Sequence, residues 1–226
     1  MTDKPSTSEI LTVDRRLKRL YGEPARPRRD PVSQLIGTML SQATTDTQTA
    51  RSFAELRRRY PTWEQVREAP VSEIARAIRS SGLSRQKAPR IKKALQQITK
   101  ERGRIELNFL DKMPPEEAKG WLMNMAGVGP KTASIVLLFS LRKPFFPVDT
   151  HVYRVTQRLG WVPLNASAEK AHEILGALIP PRLYFRLHIN LIRHGREICI
   201  AGIPRCELCP LQSPCEYYRR VRRGIS

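Results

Sequence analysis

The chain has 226 residues, enough for one large domain or two small ones, and sets 40 Lys and Arg against 21 Asp and Glu for a formal net charge of +19. Such an excess strains a compact fold by self-repulsion unless a polyanion neutralises part of it, and nucleic acid is the first candidate because Lys and Arg displace counterions from a phosphate backbone. No apolar run approaches the roughly 18 residues of a membrane span, and Met1 to Ser8 is polar where a secretory signal would be apolar, so the expectation is an intracellular protein, cytoplasmic in a bacterium or nuclear in a eukaryote.

In chain order, residues 1–9 are polar. A basic amphipathic helix is predicted from Ile10 to Tyr21, ending near Gly22, and residues 22–31, with three prolines and three arginines, read as a connector. Leu35, Ile36, Met39 and Leu40 recur at helical spacing. Asp46 is placed to cap the next helix, with Ala50, Phe53, Ala54 and Leu56 turned inward. Val71 to Ile78 reads as a helix stopped by Gly82. Arg85 to Lys100 reads as a basic helix striped by Ile91, Leu95 and Ile98, with Pro89 either in its early turns or bending it. Helices follow at Glu116 to Met125, at Lys131 to Leu141, and at about 150–159, 168–179 and 183–195. No run alternates as a strand does, so the predicted class is all-α, without internal repeats.

Two segments in this frame carry chemistry. Met125-Ala126-Gly127-Val128-Gly129-Pro130-Lys131-Thr132-Ala133 joins two helices. The glycines permit a tight turn, and Pro130 fits a first helical position. The amides of that helix start, with the positive helix end, form a phosphate site that grips a backbone without reading sequence. Lys131 sits within the first turn, where the helix dipole opposes a cation and favours the free, nucleophilic amine; a phosphate-binding surface lysine is the other reading. In Pro147-Val148-Asp149-Thr150-His151, Asp149 is placed as an N-cap. A carboxylate fixed in that way can also accept a proton or stabilise a cationic sugar.

All four cysteines lie beyond residue 198, as Cys199, Cys206, Cys209 and Cys215 in the spacing C-x6-C-x2-C-x5-C, with Pro204, Pro210 and Pro214 stiffening the loop. In an intracellular chain such a cluster reads as metal ligands rather than disulfides. Four thiolates suit zinc or a 4Fe-4S cluster, and a single C-x2-C knuckle is unlike the paired knuckles of a zinc ribbon.

Taken together, the hairpin with Lys131, the segment with Asp149 and the cysteine loop resemble, in order and spacing, the endonuclease III family of helix-hairpin-helix DNA glycosylases, over roughly residues 30–217. The resemblance implies an all-α fold of two lobes. One is a central helical bundle, 31–142, containing the hairpin. The other is discontinuous, 1–30 with 143–226, and carries an iron–sulfur loop at 199–215. It further implies a monomer acting on double-stranded DNA that contains damaged bases or abasic sites, with the target base flipped into a cleft between the lobes. By the same resemblance Lys131 is the nucleophile, Asp149 the assisting carboxylate, and the four cysteines hold a 4Fe-4S cluster. DNA contacts fall to Gln42, Gly127, Val128, Gly129, Thr132, His151 and Arg205. The expected activity is removal of oxidised pyrimidines followed by β-elimination at the abasic site. Alternatives are a monofunctional mismatch glycosylase for T, U or A mispairs, a non-catalytic DNA-binding relative, and a zinc-dependent DNA-binding module. The chain departs from the family at Pro130, where an arginine is common, and at Leu40-Ser41-Gln42-Ala43-Thr44-Thr45-Asp46, where the glutamine stands one residue early.

Overall fold

A computed structural model describes residues 5–224, and among them the secondary structure is helical, with no strand. Twelve α-helices follow one another: α1 (Thr7–Tyr21), α2 (Pro31–Leu40), α3 (Asp46–Arg59), α4 (Trp63–Glu68), α5 (Val71–Ala77), α6 (Ser84–Arg102), α7 (Pro115–Met123), α8 (Pro130–Phe139), α9 (Thr150–Leu159), α10 (Ala168–Leu178), α11 (Tyr184–Glu197) and α12 (Glu216–Arg222). Short 3-10 turns lie at Arg79–Ser81, Asn108–Lys112, Pro181–Leu183 and Cys206–Leu208. No described helix is long and apolar enough to cross a membrane.

The chain divides into two compact units, Arg28–Lys143 and Met1–Pro27 with Pro144–Ser226. In Arg28–Lys143, α2 packs on α8 and α6 packs on α4 and α5. Leu35, Ile36 and Leu40 of α2, Ile91, Leu95 and Ile98 of α6, and Val136 and Leu137 of α8 are fully buried. Pro89 lies inside α6, in its second turn, where the missing amide costs less than it would deeper in the helix. The other unit is built on α11, which packs against both α9 and α1. A Ser6–Glu9 capping box starts α1, and its stripe of Ile10, Val13 and Leu17 is buried. Asp14 lies on the same buried stripe and receives Arg186 of α11 in a bidentate pair, at 2.9 and 2.7 Å.

Several local expectations are corrected. Thr45, not Asp46, caps α3: its side chain accepts from the Gln48 amide, while Asp46 occupies the first turn, where a carboxylate suits the helix dipole. The inward residues of α3 are Ser52 and Leu56, with Ala50 and Ala54 exposed. Ser52 is tolerated inside because its hydroxyl bonds Ser80 Oγ at 2.7 Å and the Ile78 carbonyl at 3.3 Å. Helices α4 and α12 were not anticipated, α4 being six residues with an inward pair of Trp63 and Val66 and α12 seven residues with nothing fully buried.

Candidate active site and metal centre

The hairpin between α7 and α8 is shaped by backbone alone. Val128 donates its amide to Met125 O at 3.1 Å, and Gly127 stands at φ +83°, where a Cβ would meet Arg90 Cδ at 2.8 Å. Gly129 is the N-cap of α8 and Pro130 its first residue. The amides of Gly129, Lys131 and Thr132 donate to no acceptor among the described residues, so they remain available to an anion at the positive helix end. Val128 and Thr132 are buried as whole residues, at 4% and 3% exposure, so their side chains do not face an approaching ligand. Lys131, part exposed, follows Pro130 in the first turn.

Gln42 reaches this hairpin from the turn after α2, donating Nε2 to Gly127 O at 3.2 Å. Ala43, next to it, is left-handed at φ +51°, and Leu83, heading α6, is left-handed at φ +48°. Non-glycine residues hold that conformation only where the surroundings enforce it. Lys87 supplies the enforcement. Buried to 2% exposure, its ammonium donates to Leu40 O and to Ser81 O, both at 2.7 Å, tying the end of α2 to the turn before α6. Leu83 was missed in the sequence. It is 52% exposed and takes the N-cap position without any side-chain cap bond, and an apolar residue between Gly82 and Ser84, where a capping side chain belongs, was the signal available.

In the other unit Asp149 caps α9, its Oδ1 accepting from the Val152 amide at 2.8 Å. His151 Nδ1 lies 3.2 Å from Arg154 Nη2. Arg154 in turn donates to Gly195 O at 2.7 Å and Cys199 O at 3.0 Å, so the same helix that presents Asp149 and His151 also braces the start of the cysteine loop.

All four cysteines are free of disulfides and line one cavity, walled by Val155, Leu159, Ile198 and Leu211 together with Arg158 and His194. Arg158 donates Nη1 to Cys199 Sγ at 3.3 Å and to Ile200 O at 2.7 Å. The Leu211 amide donates to Cys209 Sγ at 3.4 Å, and His194 Nε2 lies 3.4 Å from the same sulfur. Burial raises the thiols of Cys206 and Cys215 and pushes Cys209 up to about 12. Arg205 is exposed on the loop beside Cys206, with one guanidinium bond to Glu197 O.

The model of the HhH-GPD superfamily base excision DNA repair proteins matches residues 36–181. Endonuclease III of Thermotoga maritima is 36% identical over 195 residues, spanning 86% of this chain and 87% of that one. The chain belongs to the endonuclease III family. A protein of Arabidopsis thaliana named as a DNA glycosylase is 43% identical over 165 residues, which cover 73% of this family member but 56% of the plant protein; the chain thus spans just over half of that relative. Among solved structures, a trapped endonuclease III–DNA covalent intermediate aligns with a TM-score of 0.83 at 29% identity, over 97% of this chain and 100% of the other.

Proposed function

We propose that this family member is a base-excision-repair DNA glycosylase with abasic-site lyase activity, acting as a monomer on oxidised pyrimidines in duplex DNA. The observation that carries the reading is Lys131 in the first turn of α8, beside three unengaged amides on a hairpin built for close backbone approach. The amides take a phosphate of the lesion strand. The Lys131 amine attacks C1′, the C1′–N bond breaks, and the base departs with the bonding pair. Asp149, its carboxylate aimed by the cap bond to Val152, matches the family's assisting carboxylate, the group that stabilises positive charge on the sugar. The C1′–O4′ bond then breaks, O4′ taking a proton and the lysine nitrogen forming a Schiff base with C1′; this acidifies C2′–H, whose loss expels the 3′-phosphate and nicks the strand. His151 and Arg205 contribute polar contacts to DNA, and Gln42 and the exposed Leu83 are carried on the turns that enter the duplex.

The cysteine cavity fits a 4Fe-4S cluster held by Cys199, Cys206, Cys209 and Cys215. An apolar cavity that keeps thiols protonated demands a metal countercharge before it holds thiolates. Four sulfurs set around one cavity, with a single C-x2-C knuckle, suit a polynuclear centre better than one zinc. When bound, the cluster braces the loop that carries Arg205 and has no part in bond breaking.

Borohydride trapping tests the chemistry. The wild type forms a covalent adduct with abasic or lesion-bearing duplex, and Lys131→Gln forms none while melting at the wild-type temperature. An adduct that survives in Lys131→Gln removes the assignment. Iron and sulfide analysis with a visible spectrum tests the cluster, and a colourless protein containing zinc rejects it.

A further inference from the structure

Arg28–Lys143 carries a second feature that the lysine chemistry does not use. An open groove of about 990 Å³ runs between α3, α5 and the turn at Arg79–Ser81, lined by Arg51, Arg58, Arg76 and Arg79, with Ala43 and Thr44 as one wall. Glu55, the one carboxylate lining it, is already engaged by Arg58 at 2.8 and 2.9 Å. Arg51, Arg76 and Arg79 are exposed and form no ion pair among the described residues. Three unpaired guanidinium groups around one groove repel one another unless an anion lies between them. The groove is open rather than enclosed and charged along its length, so it suits a continuous phosphodiester chain, to which Arg offers paired donors.

Its position gives the strand. Gln42 turns its side chain to Gly127 O of the hairpin, while the next two residues, Ala43 and Thr44, line the groove. The 42–44 turn therefore stands between two phosphate-holding features, the hairpin amides and the arginines. We infer that the arginine groove holds the backbone of the strand complementary to the lesion, so that a duplex straddles the 42–44 turn with one strand on each feature. This rests on the proposed reading that the hairpin takes the lesion strand.

The test uses the full chain, lesion duplexes with neutral methylphosphonate linkages in one strand or the other, and the variant Arg51→Ala/Arg76→Ala/Arg79→Ala. All three side chains are exposed, so the variant is expected to melt with the wild type; the single variants Arg51→Ala and Arg79→Ala provide the same measurement should it not. Each phosphate contact contributes about 0.9 to the slope of log affinity against log salt. The triple variant is therefore expected to lose about 2–3 from that slope, and each single variant about 1. Neutral linkages in the complementary strand weaken the wild type about tenfold or more and the triple variant no further. The inference is overturned if the triple variant keeps the wild-type affinity and slope. It is equally overturned if complementary-strand linkages leave the wild type unaffected or weaken both proteins alike. Trapping on a single-stranded abasic oligonucleotide separates the two readings. It is unchanged in the triple variant, and its failure in the wild type removes the lyase proposal while the duplex-affinity comparison stands.

Discussion

His194 Nε2 and Cys209 Sγ are 3.4 Å apart. The Tyr21 hydroxyl lies 3.3 Å from Nδ1. Burial holds His194 neutral, down at about 4, and lifts Tyr21 to about 12; a cluster-bound Cys209 thiolate can only accept, which sets Nε2–H toward the sulfur and Nδ1 toward the phenol. A donor of this kind behind a metal ligand is worth about 10-fold or more in metal affinity. His194→Leu is expected to lose iron to a chelator about tenfold faster than wild type, with Tyr21→Phe between them; decay of the visible absorbance measures both, and equal rates would refute the arrangement.

Gly127→Ala places a side chain at φ +83° against Arg90. The backbone conformation alone costs about 1 kcal/mol, and displacement of Arg90 brings the total to roughly 1–2 kcal/mol. Thermal melting should fall accordingly, and duplex affinity should fall with it because the hairpin amides move.

Lys87→Met removes both donors to Leu40 O and Ser81 O and leaves two interior carbonyls unpaired. Charge-assisted bonds of this kind carry about 1.5–3 kcal/mol each, so urea denaturation should show a loss of about 3 kcal/mol. Excision from duplex DNA should fall further than trapping on a single-stranded abasic site, since the turns at Gln42 and Leu83 lose their common anchor.

Asp14→Asn breaks the bidentate pair with Arg186 and leaves a guanidinium facing a nearly buried amide, at a cost of about 3 kcal/mol. Glu23, which also receives Arg186, has its carboxyl held below the ordinary 4.5 by Lys18 first and by Arg186 after it. A carboxylate shifted downward stabilises the fold above that ordinary value, and the contribution disappears as pH falls through the lowered one. Glu23→Gln should therefore narrow its difference from wild type as unfolding is followed from pH 6 down to pH 3.

What the sequence disclosed was what lies close together along it. The hairpin, the cap at Asp149 and the cysteine spacing are each contained within a few residues to a few turns, so pattern and chemistry appear in one window. The supports of the site come from far apart. Lys87 meets Leu40 across 47 residues and His194 meets Tyr21 across 173, and nothing in either local pattern marks a buried lysine or a sulfur-facing imidazole. Val128 and Thr132 show the same limit, since the motif names them but only packing decides that their side chains turn inward. The arginine groove was invisible because Arg51 and Arg79 belong to separate helical segments whose pairing, sealed by Ser52 and Ser80, runs against the apolar stripe expected of α3.

The salt link between Asp14 and Arg186 joins residues 172 apart in the chain, and that separation orders events during synthesis. Every helix of Arg28–Lys143 leaves the ribosome after α1 and before α11. At about 5–20 residues per second, α1 spends roughly 10–30 s without the helix that covers Ile10, Val13 and Leu17. Throughout that interval a basic amphipathic segment with an uncovered apolar stripe is the part of the nascent chain most open to chaperone capture, and a ribosomal pause before residue 186 would lengthen its exposure.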